Sequence, residues 1–175
     1  VKLVAMADAF RDRLDDCFNA LTDENSEEGN VKAKVSVTEE TKFVGFDAYL
    51  KAIPLADVVI LTTPPGFRPI HFEEAIKQGK HVFMEKPVAT DPAGIKKVLD
   101  AAAIAKQKKL NVVVGLQRHY QNSYRELIKR VNDGMIGEIT SGQVWWNNDG
   151  VWVNPRKPGQ TEMEYQMRNW YYFNW

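Results

Sequence analysis

Apolar and polar positions change period several times along this chain. Leu3, Val4, Ala5, Met6 and Ala7 run without a break and read as a buried strand already under way at the first residues. Residues 10–21 place Phe10, Leu14, Cys17, Phe18 and Leu21 three and four apart, one helical face. The acidic stretch 22–30 predicts a solvated loop or helix end. Phe43 and Val44 read as a short strand, and 47–53 as a short helix ended by Pro54. Val58–Leu61 is an apolar run of the kind found in a central parallel strand covered on both faces. Pro64 and Pro65 break it, because proline cannot donate a ladder hydrogen bond. A helix fits 69–77 and stops at Gly79; His81–Met84 is the next strand. Asp91 and Pro92 pair as cap and first turn of a helix with the stripe Ile95, Val98, Leu99 and Ala102. Residues 111–115 return to strand. A helix over 121–133 carries Tyr124, Leu127, Ile128 and Val131 and stops at Gly134.

This beat of strand and helix predicts an α/β fold: a partial Rossmann-type parallel sheet with helices on both faces. After Gly137 the pattern changes. Residues 138–147 alternate in polarity, which predicts a longer strand opening an α+β domain. The expected division is therefore 1–137 and 138–175. Five aromatics stand among the last seven residues and need something to pack against. Together with the strand already under way at Val1, they predict an excerpt of a longer protein.

Composition narrows the partners. Lys plus Arg equals Asp plus Glu at 23 each, so no net positive charge favours nucleic acid or an anionic membrane. No apolar run approaches the roughly 18 residues of a membrane span. The single cysteine, Cys17, excludes an intrachain disulfide framework, and His71, His81 and His119 lack zinc spacing, so no metal is expected. The first residues do not form a signal peptide.

In an open parallel sheet, ligands bind beyond the carboxyl ends of the strands. Asp8 ends the first strand, where an acid either accepts hydrogen bonds from ribose hydroxyls or caps the following helix. Thr62, Thr63 and Pro64 follow the most apolar strand and either line a cofactor groove or form a plain turn. His71 lies in the next helix, as a groove residue or a packing one. Glu85, Lys86 and Pro87 follow the strand His81–Met84. A lysine there stabilises a developing alkoxide or moves a proton, unless it is only a surface ion-pair partner. Arg118 suits a phosphate or carboxylate. The aromatics around Arg168 suit either a hydroxylated ring or the core of the second domain. The phosphate-binding pattern GxGxxG is absent from all 175 residues.

The segment GKHVFMEKPVATD at 79–91 resembles the hallmark of the glucose–fructose oxidoreductase, inositol dehydrogenase and rhizopine-catabolism protein family. ADAF at 7–10, DVVILTTPPGFRPIHFEEAIKQGKHV at 57–82 and VVVGLQRHY at 112–120 stand in the family order. The resemblance implies an N-terminal Rossmann domain, a C-terminal domain whose sheet carries the substrate site and often the oligomer interface, and NAD or NADP chemistry on sugars and polyols. It implies Asp8 as the ribose-binding acid, favouring NAD over NADP. Thr62, Thr63 and Pro64 become the loop under the dinucleotide, and His71 the histidine of the following helix. Glu85 becomes the cofactor-facing glutamate, Lys86 the catalytic lysine, also touching substrate, and Arg118 a residue near the nicotinamide. The tail YQMRNWYYFNW also resembles a bacterial subgroup that includes NAD-dependent N-acetylgalactosaminidases, which would bring Tyr165, Arg168 and Trp170 near a sugar. The expected location is the cytoplasm, or outside it if a twin-arginine leader precedes Val1. A non-catalytic sugar or nucleotide sensor is a third reading.

Overall fold

The apolar runs at 58–61 and 81–84 become strands, whereas the run expected as a buried strand from Leu3 gives a bridge at Leu3 and a strand at Met6–Asp8 with no buried residue; each strand pairs in parallel with its neighbour. The computed structural model describes residues 1–25 and 31–173; residues 26–30 of the expected acidic loop, and Asn174 and Trp175 of the aromatic tail, lie outside the described residues. The chain divides into two units, Val1–Val114 and Gly115–Trp175, and the position 137–138 falls inside the second.

In the first unit, β1 (Met6–Asp8) pairs with β2 (Lys42–Val44), with Asp8 opposite Val44. A second sheet has the order β3 (Val58–Leu61), β4 (His81–Met84), β5 (Val112–Val114), with Leu61 opposite Met84 and Met84 opposite Val114. Parallel neighbours need crossover connections. Helices α1 (Arg11–Thr22), α2 (Ala48–Ala52), α3 (Arg68–Lys77) and α4 (Pro92–Gln107) lie on them. Two parallel sheets flanked by helices make a partial Rossmann-type fold.

The core lies between the three-stranded sheet and α3 and α4. Val59, Leu61, Val82 and Met84 meet Phe72, Ala75, Ile76, Val98, Ala101 and Ala105 there. Full burial of a Val, Leu, Ile, Phe or Met side chain contributes roughly 1.5–3 kcal/mol. Proline in its first turn opens α3, and Gly79, at φ 73°, makes the left-handed turn that leads into β4. The Asp91 carboxylate caps α4 by accepting from the Gly94 N–H at 2.8 Å.

Four expectations are corrected. β3 is covered on one face only: Val59 and Leu61 are buried, whereas Val58 and Ile60 are 51% and 65% exposed. Strand side chains alternate, and the core helices α3 and α4 pack on the Val59–Leu61 face. The buried line of α4 is Gly94, Val98, Ala101 and Ala105, while Ile95, Leu99 and Ala102 face outward. Small residues win because α4 comes close to α3: a Cβ at Gly94 would meet Pro69 Cγ and Ala89 Cβ at 3.1 Å. Residues 138–147 form no strand, because a strand needs a hydrogen-bonded neighbour and none pairs with this stretch among the described residues. On α1 the buried position of the expected stripe is Leu14, and Cys17 is exposed.

The second unit holds α5 (Gln117–Tyr120), α6 (Asn122–Asn132) and α7 (Glu162–Arg168). No residue of α6 is buried, and its Tyr124, Leu127 and Ile128 are exposed. Thr161 caps α7 by accepting from the Glu164 N–H at 3.2 Å. Asn169 is 2% exposed. Its side chain accepts from the Asn154 N–H at 2.7 Å and donates to the Asn154 and Tyr165 carbonyls, each at 3.0 Å.

Candidate functional site

Because the strands run parallel, their carboxyl ends share one edge of each sheet. The Glu85 N–H donates to the Leu61 carbonyl at 2.9 Å, extending the ladder by one step. It leaves Thr62–Thr63 and Glu85–Lys86 side by side where β3 and β4 stop. Thr62 and Lys86 are exposed, Thr63, Pro64 and Glu85 half-buried, and the Lys86–Pro87 peptide is cis.

Under these two loops lies a side chain that the sequence reading did not single out. Arg68, the first residue of α3, is 2% exposed. Its Nη1 donates to the Glu85 carbonyl at 2.5 Å and to the Pro87 carbonyl at 2.7 Å, and its Nη2 donates to the Thr63 carbonyl. Its Nε is buried and has no hydrogen-bond partner among the described residues. Burial pulls the guanidinium pKa down, opposed by the Glu85 charge. A signal for it was present: Arg68, His71, Phe72, Ala75 and Ile76 follow helical spacing, so a charge sits on the buried stripe.

His71 stands one turn along on that stripe and is buried. Its Nδ1 lies 3.1 Å from Thr63 Oγ1, and its ring centroid 4.3 Å from that of Tyr49 in α2. Burial first, and the Arg68 charge second, hold its pKa at about 4, so the ring is neutral near pH 7. Phe46 packs on Phe67 with centroids 5.9 Å apart. These ring contacts tie the β1–β2 side of the unit to the start of α3. Asp8 belongs to the β1–β2 side: its carbonyl accepts from the Gly45 N–H at 3.0 Å, and its Oδ1 from the Phe10 N–H at 2.9 Å. This bond belongs to the turn before α1, whose N-cap Phe10 receives no side-chain cap, so the helix-cap reading of Asp8 does not hold.

The remaining candidates belong to the second unit. Arg118 donates to Gln121 Oε1 at 3.0 Å, with its guanidinium over the Tyr124 ring at 5.1 Å. Tyr165 lies under the Arg156 guanidinium at 4.2 Å, and Arg168 Nε donates to Glu164 Oε1 at 3.1 Å. Trp170 packs on Trp152, with centroids 5.6 Å apart. Tyr165, Arg168 and Trp170 are therefore held by local partners, in a cluster built around the buried Asn169.

The edge fits a dinucleotide in part. Asp8 Oδ2 suits ribose hydroxyls, and the Thr62 hydroxyl and Lys86 ammonium suit polar groups above the strand ends. A GxGxxG phosphate cradle is not among the 175 residues. A separate groove between α3 and α4, lined by Glu73, Lys77, Asp100 and Lys108, lies on the helical layer and not at the strand ends. Among the described residues, no three His, Cys, Asp or Glu side chains gather to hold a metal ion, and no helix is long and apolar enough to cross a membrane.

Residues 5–116 match the family model GFO_IDH_MocA, described as an oxidoreductase family with an NAD-binding Rossmann fold. The chain is 35% identical over 122 residues to an inositol 2-dehydrogenase/D-chiro-inositol 3-dehydrogenase of Halalkalibacterium halodurans, covering 68% of this chain and 33% of the relative. It is 36% identical over 95 residues to a scyllo-inositol 2-dehydrogenase (NADP(+)) of Bacillus subtilis, covering 54% of this chain and 25% of that one. Among solved structures it is similar to a scyllo-inositol dehydrogenase of Lactobacillus casei with bound NAD(H) and scyllo-inositol. The TM-score is 0.57 at 25% identity, over 79% of this chain and 35% of that one. The chain thus spans between a quarter and about a third of the length of these relatives.

Proposed function

Because this chain belongs to the GFO_IDH_MocA oxidoreductase family, whose NAD-binding Rossmann fold its residues 5–116 match, we propose that it forms part of a nicotinamide-dependent dehydrogenase of a sugar or polyol, with a cyclic polyol such as an inositol as the first substrate class to test. The observation that carries this reading is the meeting of Thr62–Thr63 and Glu85–Lys86–Pro87 at the carboxyl edge of β3 and β4, with both loops bonded to Arg68. When bound, the nicotinamide supplies the hydride acceptor or donor.

The chain's own residues do the rest. Asp8 keeps Oδ1 on the Phe10 N–H and offers Oδ2 to the ribose hydroxyls, where its charge disfavours a 2′-phosphate. That makes NAD the preferred cofactor and NADP the weaker one. Lys86 directs Nζ at the substrate hydroxyl: as the amine it takes the hydroxyl proton while the carbon loses its hydride, and as the ammonium it gives that proton back in the reverse direction. Thr63 and His71 form the floor beneath the loop. Glu85 and Arg118 belong to the cofactor side of the same proposal, and the domain beginning near 138 to the substrate side and the contact between copies. The resemblance of the tail to NAD-dependent N-acetylgalactosaminidases has no counterpart among the relatives described above.

The test is NADH formation by the complete protein with NAD and a panel of inositols, other polyols and free sugars. Stoichiometric NADH from at least one polyol supports the proposal. Release of aglycone from a chromogenic N-acetylgalactosaminide without net NADH would replace it by the glycosidase reading. Cofactor binding without turnover of any panel member would point to a sensor.

A further inference from the structure

We propose that Arg68 is a positioning residue, which locks the main chain on both sides of Lys86 to the loop after β3, so that Lys86 and Thr63 hold one fixed spacing. This rests on the proposed role of Lys86 above. The geometry is specific. One nitrogen, Nη1, takes the carbonyls of Glu85 and Pro87, the two neighbours of Lys86, at 2.5 and 2.7 Å. The other terminal nitrogen takes the carbonyl of Thr63. The Lys86 backbone is thereby pinned before and after its side chain, while the side chain itself remains exposed.

Three features argue that this is more than a packed helix start. A charged group 2% exposed, with one nitrogen unpartnered, is costly to bury, and a neutral side chain of similar volume would avoid that cost. The bonds go to carbonyls on two separate loops, so the guanidinium couples segments that the sheet ladder joins through Glu85 N and Leu61 O. The planar fork presents donors in fixed directions, which an ammonium on a flexible stem does not reproduce. Glu85 supplies the nearby negative charge that makes a buried cation tolerable, so the loop that Arg68 holds also stabilises it.

Positioning at this level affects the reacting step. A displacement of about 1 Å in a group that must meet a substrate hydroxyl costs up to about a hundredfold in rate. Lys86 is held through its backbone, so loosening Arg68 lowers the rate of hydride transfer more than it lowers cofactor affinity.

The experiment compares Arg68→Lys, Arg68→Met and Lys86→Ala with the unaltered protein. Amide hydrogen exchange, NAD titration, single-turnover hydride transfer and urea midpoints are measured together. In Arg68→Lys, exchange at Phe67 and at Glu85, whose N–H groups donate to the Pro64 and Leu61 carbonyls, rises together, about tenfold or more, while α4 amides such as Val98 keep their protection. NAD affinity stays within about threefold and transfer slows about tenfold to a hundredfold. Unchanged exchange at both loops in a folded Arg68→Lys overturns the proposal, and so does wild-type transfer. If both Arg68 variants unfold, exchange in the unaltered protein decides: one shared opening energy for the two loops supports the clamp, and independent opening overturns it. Failure of the dehydrogenase reading gives a different signature, in which the unaltered protein shows no transfer while the two loops still exchange as one.

Discussion

Nδ1 of His71 lies 3.1 Å from Oγ1 of Thr63, joining the buried face of α3 to the loop that ends β3. The ring is neutral near pH 7 because burial, reinforced by the Arg68 charge, holds its pKa at about 4. A neutral imidazole accepts the threonine proton or donates its own, so the pair fixes the Thr63 side chain while Arg68 fixes its carbonyl. His71 orients the loop here and is not a proton carrier near neutral pH.

That neutrality has a pH signature. The unfolded chain binds a proton at His71 below about pH 6.5, whereas the folded chain resists it down to about pH 4. More protons bind the unfolded state in this window, so stability falls as pH falls from about 6.5 to 4, by an amount on the order of 3 kcal/mol. His71→Gln removes this part of the slope. Urea midpoints measured at half-unit pH steps read it directly. An equal slope in wild type and His71→Gln above pH 5 would show that the imidazole is not the group responsible.

In the proposed function Asp8 sets the cofactor preference. Asp8→Asn keeps the turn bond from the Phe10 N–H through its amide oxygen but removes the charge. The ratio of NADP to NAD affinity is expected to rise about tenfold or more, the effect of removing roughly 1.4 kcal/mol of repulsion from a 2′-phosphate. Fluorescence titration with both cofactors in the complete protein checks it. A wild type that binds NADP as well as NAD contradicts the assignment at once.

Val98 and Leu99 are neighbours on α4 with opposite surroundings, 7% and 64% exposed. Val98→Ala removes packing against the sheet and is expected to cost about 1–2 kcal/mol. Leu99→Ala is expected to stay within about 0.5 kcal/mol. Denaturant unfolding of the two variants in the 175-residue chain tests the corrected face of the helix. A larger loss at Leu99 would restore the stripe that simple hydrophobicity predicts.

Much of the first unit was legible in the sequence because its strands are short apolar runs with clear ends. Asp57 precedes β3 and Thr62 follows it; Lys80 precedes β4 and Glu85 follows it. The carboxyl-edge residues could be found from those ends. The face of α4 was harder to read. Periodicity rewards large side chains such as Leu99, whereas the contact with α3 selects glycine and alanine. Arg68 falls one residue before the helix that the sequence predicts over 69–77, and only the fold brings three carbonyls to it. The strand expected at 138–147 failed for a physical reason of another kind. Alternation describes two faces, but a strand forms only against a neighbour.

The central claim is that Lys86 acts on the substrate beside a nicotinamide, and single-turnover hydride transfer by Lys86→Ala in the complete protein tests it most directly. NAD affinity should stay within about threefold, since in the proposal Asp8, and not Lys86, holds the ribose. Transfer should fall about a hundredfold or more, the scale of losing a positioned proton-transfer group. Lys86→Arg should restore only part of the rate, because a guanidinium keeps the charge but does not give up its proton. Transfer near the wild-type rate in Lys86→Ala would contradict the account and leave Glu85–Lys86–Pro87 as a structural turn.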